Sequence, residues 1–216
     1  MKNAAESPFV VNRLEALPEP PPVVVTSTLP EPRRWWTSPA AIAVIAFLGI
    51  ALRGAAWLND RNLWIDESML SLNLVERSPA RLLEPLDWNQ GAPVGFLLAV
   101  KTTIATIGIT ERSLRLVPMF GSLLGIIGFA WLALKFLPRP AATIAIALFS
   151  FSPFLISYSA ECKQYATDAA IAVGLFACAA SLLHGEGGLR RWAVLAAAGA
   201  MAVWFSHPAA FILGGI

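Results

Sequence analysis

Five apolar runs, at residues 39–58, 114–136, 141–158, 168–183 and 192–205, dominate this chain. Runs approaching 20 residues are long enough to cross the roughly 30 Å of hydrocarbon in a bilayer. Within hydrocarbon every backbone N–H and C=O must be paired inside the segment, so such runs are helices. A further apolar stretch, residues 209–216, reads as the start of another span that stops mid-run. The expected fold is all-α and polytopic, with about five transmembrane helices plus a truncated sixth. The chain is accordingly expected to be part of a longer protein.

Composition agrees. The chain is 56% hydrophobic and 14% charged, against about 25% charged in soluble domains, and its mean hydropathy is +0.63. A formal net charge of +2 implies no nucleic-acid surface. Cys162 and Cys178 form no C-x-x-C motif and no Cys/His cluster, so a zinc site is not expected. Helical spacing would put them about 24 Å apart, too far for a disulfide.

Residues 1–36 hold seven prolines, and residues 1–37 read as a disordered cytoplasmic tail. No cleavable signal peptide precedes the first run. Arg33, Arg34, Trp35 and Trp36 make a basic and aromatic collar suited to a membrane interface. Arg53, near the far end of the first run, is expected to snorkel outward. Residues 59–90 are polar with scattered Leu and Trp, which predicts short amphipathic helices. Residues 91–110 have spanning length but carry Lys101 and four threonines. Phe96, Leu97, Val100, Ile104 and Ile107 share one helical face, the pattern of a helix lying in the interface. The alternative is a further span.

Sidedness favours the interfacial reading. It puts the collar, the Lys135/Arg139 turn and the Arg190/Arg191 turn together on the cytoplasmic side, as the positive-inside rule asks. Two acidic elements then share the outer side. One is Asp66-Glu67, and the other runs from Glu161 to Asp168, with His207 joining them. A spanning helix at 91–110 would separate the two acidic elements across the bilayer.

Those elements carry the chemistry. Asp66 and Glu67 do not share a helix face, so one can meet a reacting centre while the other orients a helix or a cation. Glu161, Gln164, Tyr165 and Asp168 form a single stripe if the segment is helical, with Lys163 pointing away from it, though its long stem can bend back. Ionisable groups at membrane depth are costly and often functional. Asn89-Gln90-Gly91-Ala92-Pro93 reads as a helix start, whose glycine would permit close approach of a substrate.

The order of these motifs resembles a known family. One span precedes the Asp66-Glu67 loop, and Gln90-Gly91-Ala92-Pro93 precedes an amphipathic helix. Leu114-Arg115-Leu116-Val117-Pro118 opens a span, and Ser152-Pro153-Phe154-Leu155 leads into Glu161-x-Lys163-Gln164-Tyr165-x-x-Asp168. Over about residues 38–216 the chain resembles the N-terminal module of the GT-C superfamily of membrane glycosyltransferases. The closest branch is the bacterial one related to protein O-mannosyltransferases and lipid A aminoarabinose transferase. The resemblance implies transfer of a sugar from a polyprenyl-phosphate carrier, on the extracytoplasmic face of the plasma membrane, with inversion. It implies that Asp66 is catalytic and that Glu161 or Asp168 helps build the site. Two departures stand out: many relatives have His-Pro-Pro at Gly91-Ala92-Pro93, and Arg at Lys163.

The expected mechanism makes Asp66 the general base on an acceptor hydroxyl of a glycan, lipid or protein, with Glu67 beside it in the catalytic pair. Lys163 would neutralise the leaving phosphate. Glu67, Glu161, Gln164, Asp168 and His207 would position substrate, and Tyr165 would line the donor cleft. A divalent cation, if one takes part, has Asp66, Glu161 and Asp168 as candidate ligands. The rival readings are a transporter or flippase for lipid-linked intermediates, and an inactive fragment of the transferase.

Overall fold

The computed structural model describes residues 35–59, 61–183 and 188–216. The expected tail over residues 1–34, the Arg33–Arg34 half of the collar, Asp60 and residues 184–187 lie outside these. Trp35–Thr37 form a short 3-10 turn.

Ten α-helices are present among the described residues, and no strand. The first, α1 (Pro39–Leu58), begins by the usual rules. Ser38 Oγ accepts the Ala41 N–H at 3.1 Å, and Pro39 fills the first helical position. There follow α2 (Ile65–Glu76), α3 (Val94–Ile107), α4 (Glu111–Leu114), α5 (Leu116–Phe136), α6 (Arg139–Phe151), α7 (Pro153–Ser159), α8 (Tyr165–Leu183), α9 (Leu189–Phe205) and α10 (Pro208–Gly215).

Helices α1 and α5 are long and apolar enough to cross a membrane. The expected single run at 141–158 is instead two helices, α6 and α7, bent by 49°. Counted as one broken span they make a third. The break has a covalent cause. Pro153 has no N–H to offer the Phe149 carbonyl and its ring crowds the preceding turn.

That break explains Arg53, which does not snorkel outward. Its guanidinium is fully buried. It donates to the Phe149 carbonyl at 3.1 Å, the Ser150 carbonyl at 2.7 Å, Gly49 O at 3.1 Å and Ser122 Oγ at 2.7 Å. The arginine thus takes the place of the donor that Pro153 lacks. Small residues allow this close packing. A Cβ on Gly49 would meet Ser150 Cβ at 2.7 Å. Arg53→Ala is expected to destabilise the protein by about 1–3 kcal/mol through its orphaned acceptors. Thermal unfolding in detergent checks this, and an unchanged midpoint would refute the role.

Helix α3 has 14 residues, about 21 Å of length, short of what a bilayer requires. Four of the five residues on its predicted face, Phe96, Leu97, Val100 and Ile104, are buried with Leu70, Leu74, Leu82 and Leu114. Ile107 is exposed, because the helix stops at Gly108, whose φ of 102° suits only glycine well. Lys101 Nζ donates to the Leu74 and Val75 carbonyls at 2.8 and 3.1 Å, capping the end of α2. Helices α5 and α8 make the most extensive contact of the bundle. A Cβ on Gly121 would sit 3.2 Å from the Thr167 nitrogen.

Candidate functional site

The two acidic elements meet at one end of the helices. Asp66 and Glu67 lie in the first turn of α2, where the helix dipole favours negative charge. Their surroundings differ sharply. Glu67 is fully buried. Arg115 grips it in bidentate fashion, Nε to Oε1 at 3.1 Å and Nη2 to Oε2 at 3.2 Å. Arg61 Nη1 lies 3.1 Å from Oε2, and the Cys162 N–H donates to Oε1 at 2.8 Å. Arg115 Nη1 also donates to the Arg61 carbonyl at 2.8 Å. Glu67 therefore ties the loop after α1, the start of α5 and the turn before α8 to α2. All of its acceptor capacity is used within the chain, which leaves it a positioning role.

Asp66 is partly exposed, with a side chain 33% accessible. Lys163 Nζ lies 2.8 Å from its Oδ2, and Gln90 Nε2 donates to Oδ1 at 3.0 Å. Lys163 also donates to Gln90 Oε1 at 2.7 Å, which closes a three-membered ring of contacts. Lys163 is 4% exposed and faces Asp66, and the helical condition on which it was expected to point away from the Glu161–Asp168 stripe is not met. The reason is local. Residues 160–164 form a turn, and α8 begins only at Tyr165, so the helical stripe does not extend back to Glu161. The helical spacing between Cys162 and Cys178 lapses at the same turn, and neither forms a disulfide.

Gln90 is presented by a strained turn. Trp88 and Asn89 have φ of 56° and 54°, a left-handed conformation costly for tryptophan. Asn73 pins that turn, accepting the Asp87 N–H at 2.9 Å, and Arg77 pairs with Asp87 at 2.9 Å. Gly91 packs against nothing that a Cβ would meet. Its carbonyl accepts from Gln164 Nε2 at 3.4 Å.

The other candidates are nearby but distinct. Glu161 accepts from Ser157 Oγ at 2.7 Å and lies 3.8 Å from Arg61. Tyr165 is exposed and tilts against Tyr158, with ring centroids 4.9 Å apart. Asp168 has Ser206 and His207 as its polar neighbours. The three acids named as cation ligands thus have separate partners. Among the described residues no three His, Cys, Asp or Glu side chains gather closely enough to hold a metal.

Beside this polar end, a groove of about 600 Å³ runs between α5, α8 and α9. Val117, Gly121, Thr167 and Phe205 line it near the acidic cluster, and Leu124 and Cys178 lie further along. From Thr167 to Cys178 it follows α8 for about 16 Å. Phe120, Leu124 and Met201 on its walls are exposed, so it opens sideways.

The Lys163 ammonium, helped by Gln90 and opposed by partial burial, holds the Asp66 carboxyl below the usual carboxylate range. Burial pushes the Cys162 thiol up to about 12. A depressed carboxylate pKa contributes stability that is present above the unfolded value, about 3.9, and is lost as pH falls through the folded value. Asp66 is therefore expected to stay ionised below about pH 3.9, and Lys163→Met to raise its midpoint. Infrared titration with isotope-edited aspartate reads this directly. Equal midpoints in the two proteins would show that the ammonium does not govern Asp66.

Sequence reading missed Arg61, Arg115 and Gln90 as members of this cluster. The available signal for Arg115 was a lone arginine opening an apolar run. No protein-family model, curated protein or solved structure matches the chain.

Proposed function

We propose that this chain is the donor-binding part of a membrane glycosyltransferase that moves a sugar from a polyprenyl-phosphate carrier to an acceptor hydroxyl. The observation that carries the reading is the Asp66–Lys163–Gln90 ring, placed beside a laterally open apolar groove. The groove suits a long hydrocarbon chain entering from the bilayer. The ring offers a cation for a phosphate and a carboxylate for a proton. On this reading α3 lies in the interface. Helices α1, α5, α6–α7, α8 and α9 span the plasma membrane, and the acidic cluster faces outward.

The chemistry follows from partner exchange. The donor phosphate draws Lys163 away from Asp66, and the carboxylate, relieved of its ammonium, becomes a stronger base. Asp66 takes the acceptor hydroxyl proton. The freed oxygen bonds to sugar C1 as the C1–O bond to phosphate breaks, and the electron pair leaves on the lipid phosphate beside Lys163. Attack from the opposite face inverts C1.

The test uses the protein reconstituted in vesicles with radiolabelled hexoses linked to undecaprenyl phosphate and a bacterial envelope extract as acceptor source. The expected result is label transferred to the extract and lost from the lipid. Lipid moved between leaflets with its sugar intact would instead establish a flippase. Sidedness is checked separately, with single cysteines at Asn62 and Arg139 in a Cys162→Ser, Cys178→Ser background. An impermeant thiol reagent is expected to reach position 62 in intact cells and position 139 only in opened ones. Labelling of both from outside would refute the proposed arrangement.

A further inference from the structure

One member of the Asp66–Lys163–Gln90 ring is neutral, and a good deal of structure goes into placing it. Gln90 Nε2 donates to Asp66 Oδ1 at 3.0 Å, while its Oε1 accepts from Lys163 at 2.7 Å. An amide can do both at once through two separate atoms. Just before Gln90 the chain turns through Trp88 and Asn89, both left-handed. That conformation is costly for tryptophan and persists only where neighbouring contacts enforce it. The contacts come from α2. Asn73 accepts the Asp87 N–H at 2.9 Å and donates to the Asp87 carbonyl at 3.4 Å. Arg77 pairs with the Asp87 carboxylate at 2.9 Å and donates to the Pro85 carbonyl at 2.9 Å. Both α2 side chains are buried.

The helix supplies the register. Asp66, Asn73 and Arg77 fall on one face of α2 by their spacing. Met69 lies on the same side, with its Sδ 3.8 Å from Gln90 Nε2. Residues 85–90 therefore run back along α2 from Arg77 to Asp66, beside about 16 Å of helix. They are pinned at one end and present Gln90 at the other. Because anchor and target sit on the same helix, the Asn73 and Arg77 contacts set where Gln90 meets Asp66.

We infer that residues 85–90 are a strap that makes Gln90 a positioning residue for Asp66, and that Asn73, Arg77 and Asp87 act on the reaction through it. This rests on the proposed donor reading and deepens it. When the donor phosphate draws Lys163 away, Gln90 is the partner left on Asp66. Its hydrogen bond to Oδ1 keeps the carboxylate from swinging after the ammonium. Oδ2, the oxygen that Lys163 vacates, is then the one that takes the acceptor proton.

The experiment compares Gln90→Met, Asp87→Ala and Asp87→Glu in the full chain. The Asp87 side chain is exposed, so its variants should fold, and thermal midpoints serve as the control. The carboxylate stretch of Asp66 reads its hydrogen bonding. It is isolated at neutral pH by isotope-edited infrared difference against Asp66→Asn. Gln90→Met and Asp87→Ala are expected to move this band in the same direction, and Asp87→Glu to restore it. In a protein that already carries Gln90→Met, Asp87→Ala should add nothing. In the vesicle transfer assay Gln90→Met and Asp87→Ala should lower turnover by up to about 100-fold, the reach of a small misplacement. Affinity of the Asp87→Ala protein in nanodiscs for the bare lipid, undecaprenyl phosphate, should hold. A wild-type band in folded Asp87→Ala, or a further shift in the double variant, would overturn the strap. Wild-type turnover in Gln90→Met would overturn the positioning role. Expected bands in a wild-type protein that transfers no sugar would defeat the donor reading and establish only the strap's hold on Asp66.

Discussion

Asp66→Asn is expected to lower sugar transfer by about 10²–10⁴-fold, the usual contribution of a general base, while the protein stays folded. The amide matches the carboxylate in shape. Its oxygen can still accept from Gln90 Nε2 or from Lys163, the two groups that hold Asp66 now. What it cannot do is take a proton. Loss of charge also frees Lys163, so affinity for the bare lipid phosphate should hold or rise. The combination of lost turnover with retained donor binding separates a base from a binding residue. The vesicle transfer assay measures the first, and nanodisc binding the second. Wild-type turnover in a folded Asp66→Asn protein would remove Asp66 from the mechanism.

Arg115→Ala is expected to destabilise the protein by about 3–5 kcal/mol, the usual cost of leaving one member of a buried ion pair alone. Arg115 is 1% exposed, and its loss strands a Glu67 that is 0% exposed. Arg61 would remain, but its side chain is 36% accessible and it is shared with Glu161. Arg115→Lys should recover only part of the loss, because an ammonium cannot reproduce the two parallel bonds of the guanidinium. The cycle with Glu67→Gln is the sharper measurement. Removing both charges should cost less than the sum of the single changes, as expected for contacting residues. A folded Arg115→Ala protein with stability within about 0.5 kcal/mol of wild type would show that the clamp is not structural.

The different fates of adjacent Asp66 and Glu67 also show where sequence reading succeeds and stops. The helical runs, the short α3 and the two acidic elements follow from periodicity and composition, which act locally. The division of labour between Asp66 and Glu67 depends on Arg115 and Cys162, which lie 48 and 95 residues from Glu67. No local pattern encodes such distances. Lys163 is a subtler case. Its direction depends on whether residues 160–164 continue a helix or turn, and the absence of proline or glycine there left the helix as the natural reading. The bend at Pro153, by contrast, was legible in principle, since a Ser-Pro pair inside an apolar run disfavours continuous helix. Arg53 could not be placed without that bend, because two of the carbonyls it meets belong to the last turn of α6.

The wiring of Arg53 has a consequence for how the chain is made. Its α1 helix leaves the ribosome long before the carbonyls it serves, since Ser150 comes 97 residues later, a delay of roughly 5–20 s at ordinary rates of synthesis. During that interval the guanidinium has the Gly49 carbonyl of its own helix, and Ser122 once α5 is made, but neither α6 carbonyl. Two of the four acceptors of the first helix's arginine are therefore met only when the sixth helix arrives. Biogenesis of this protein has a late step written into it, in which an early segment gains its last partners from a later one.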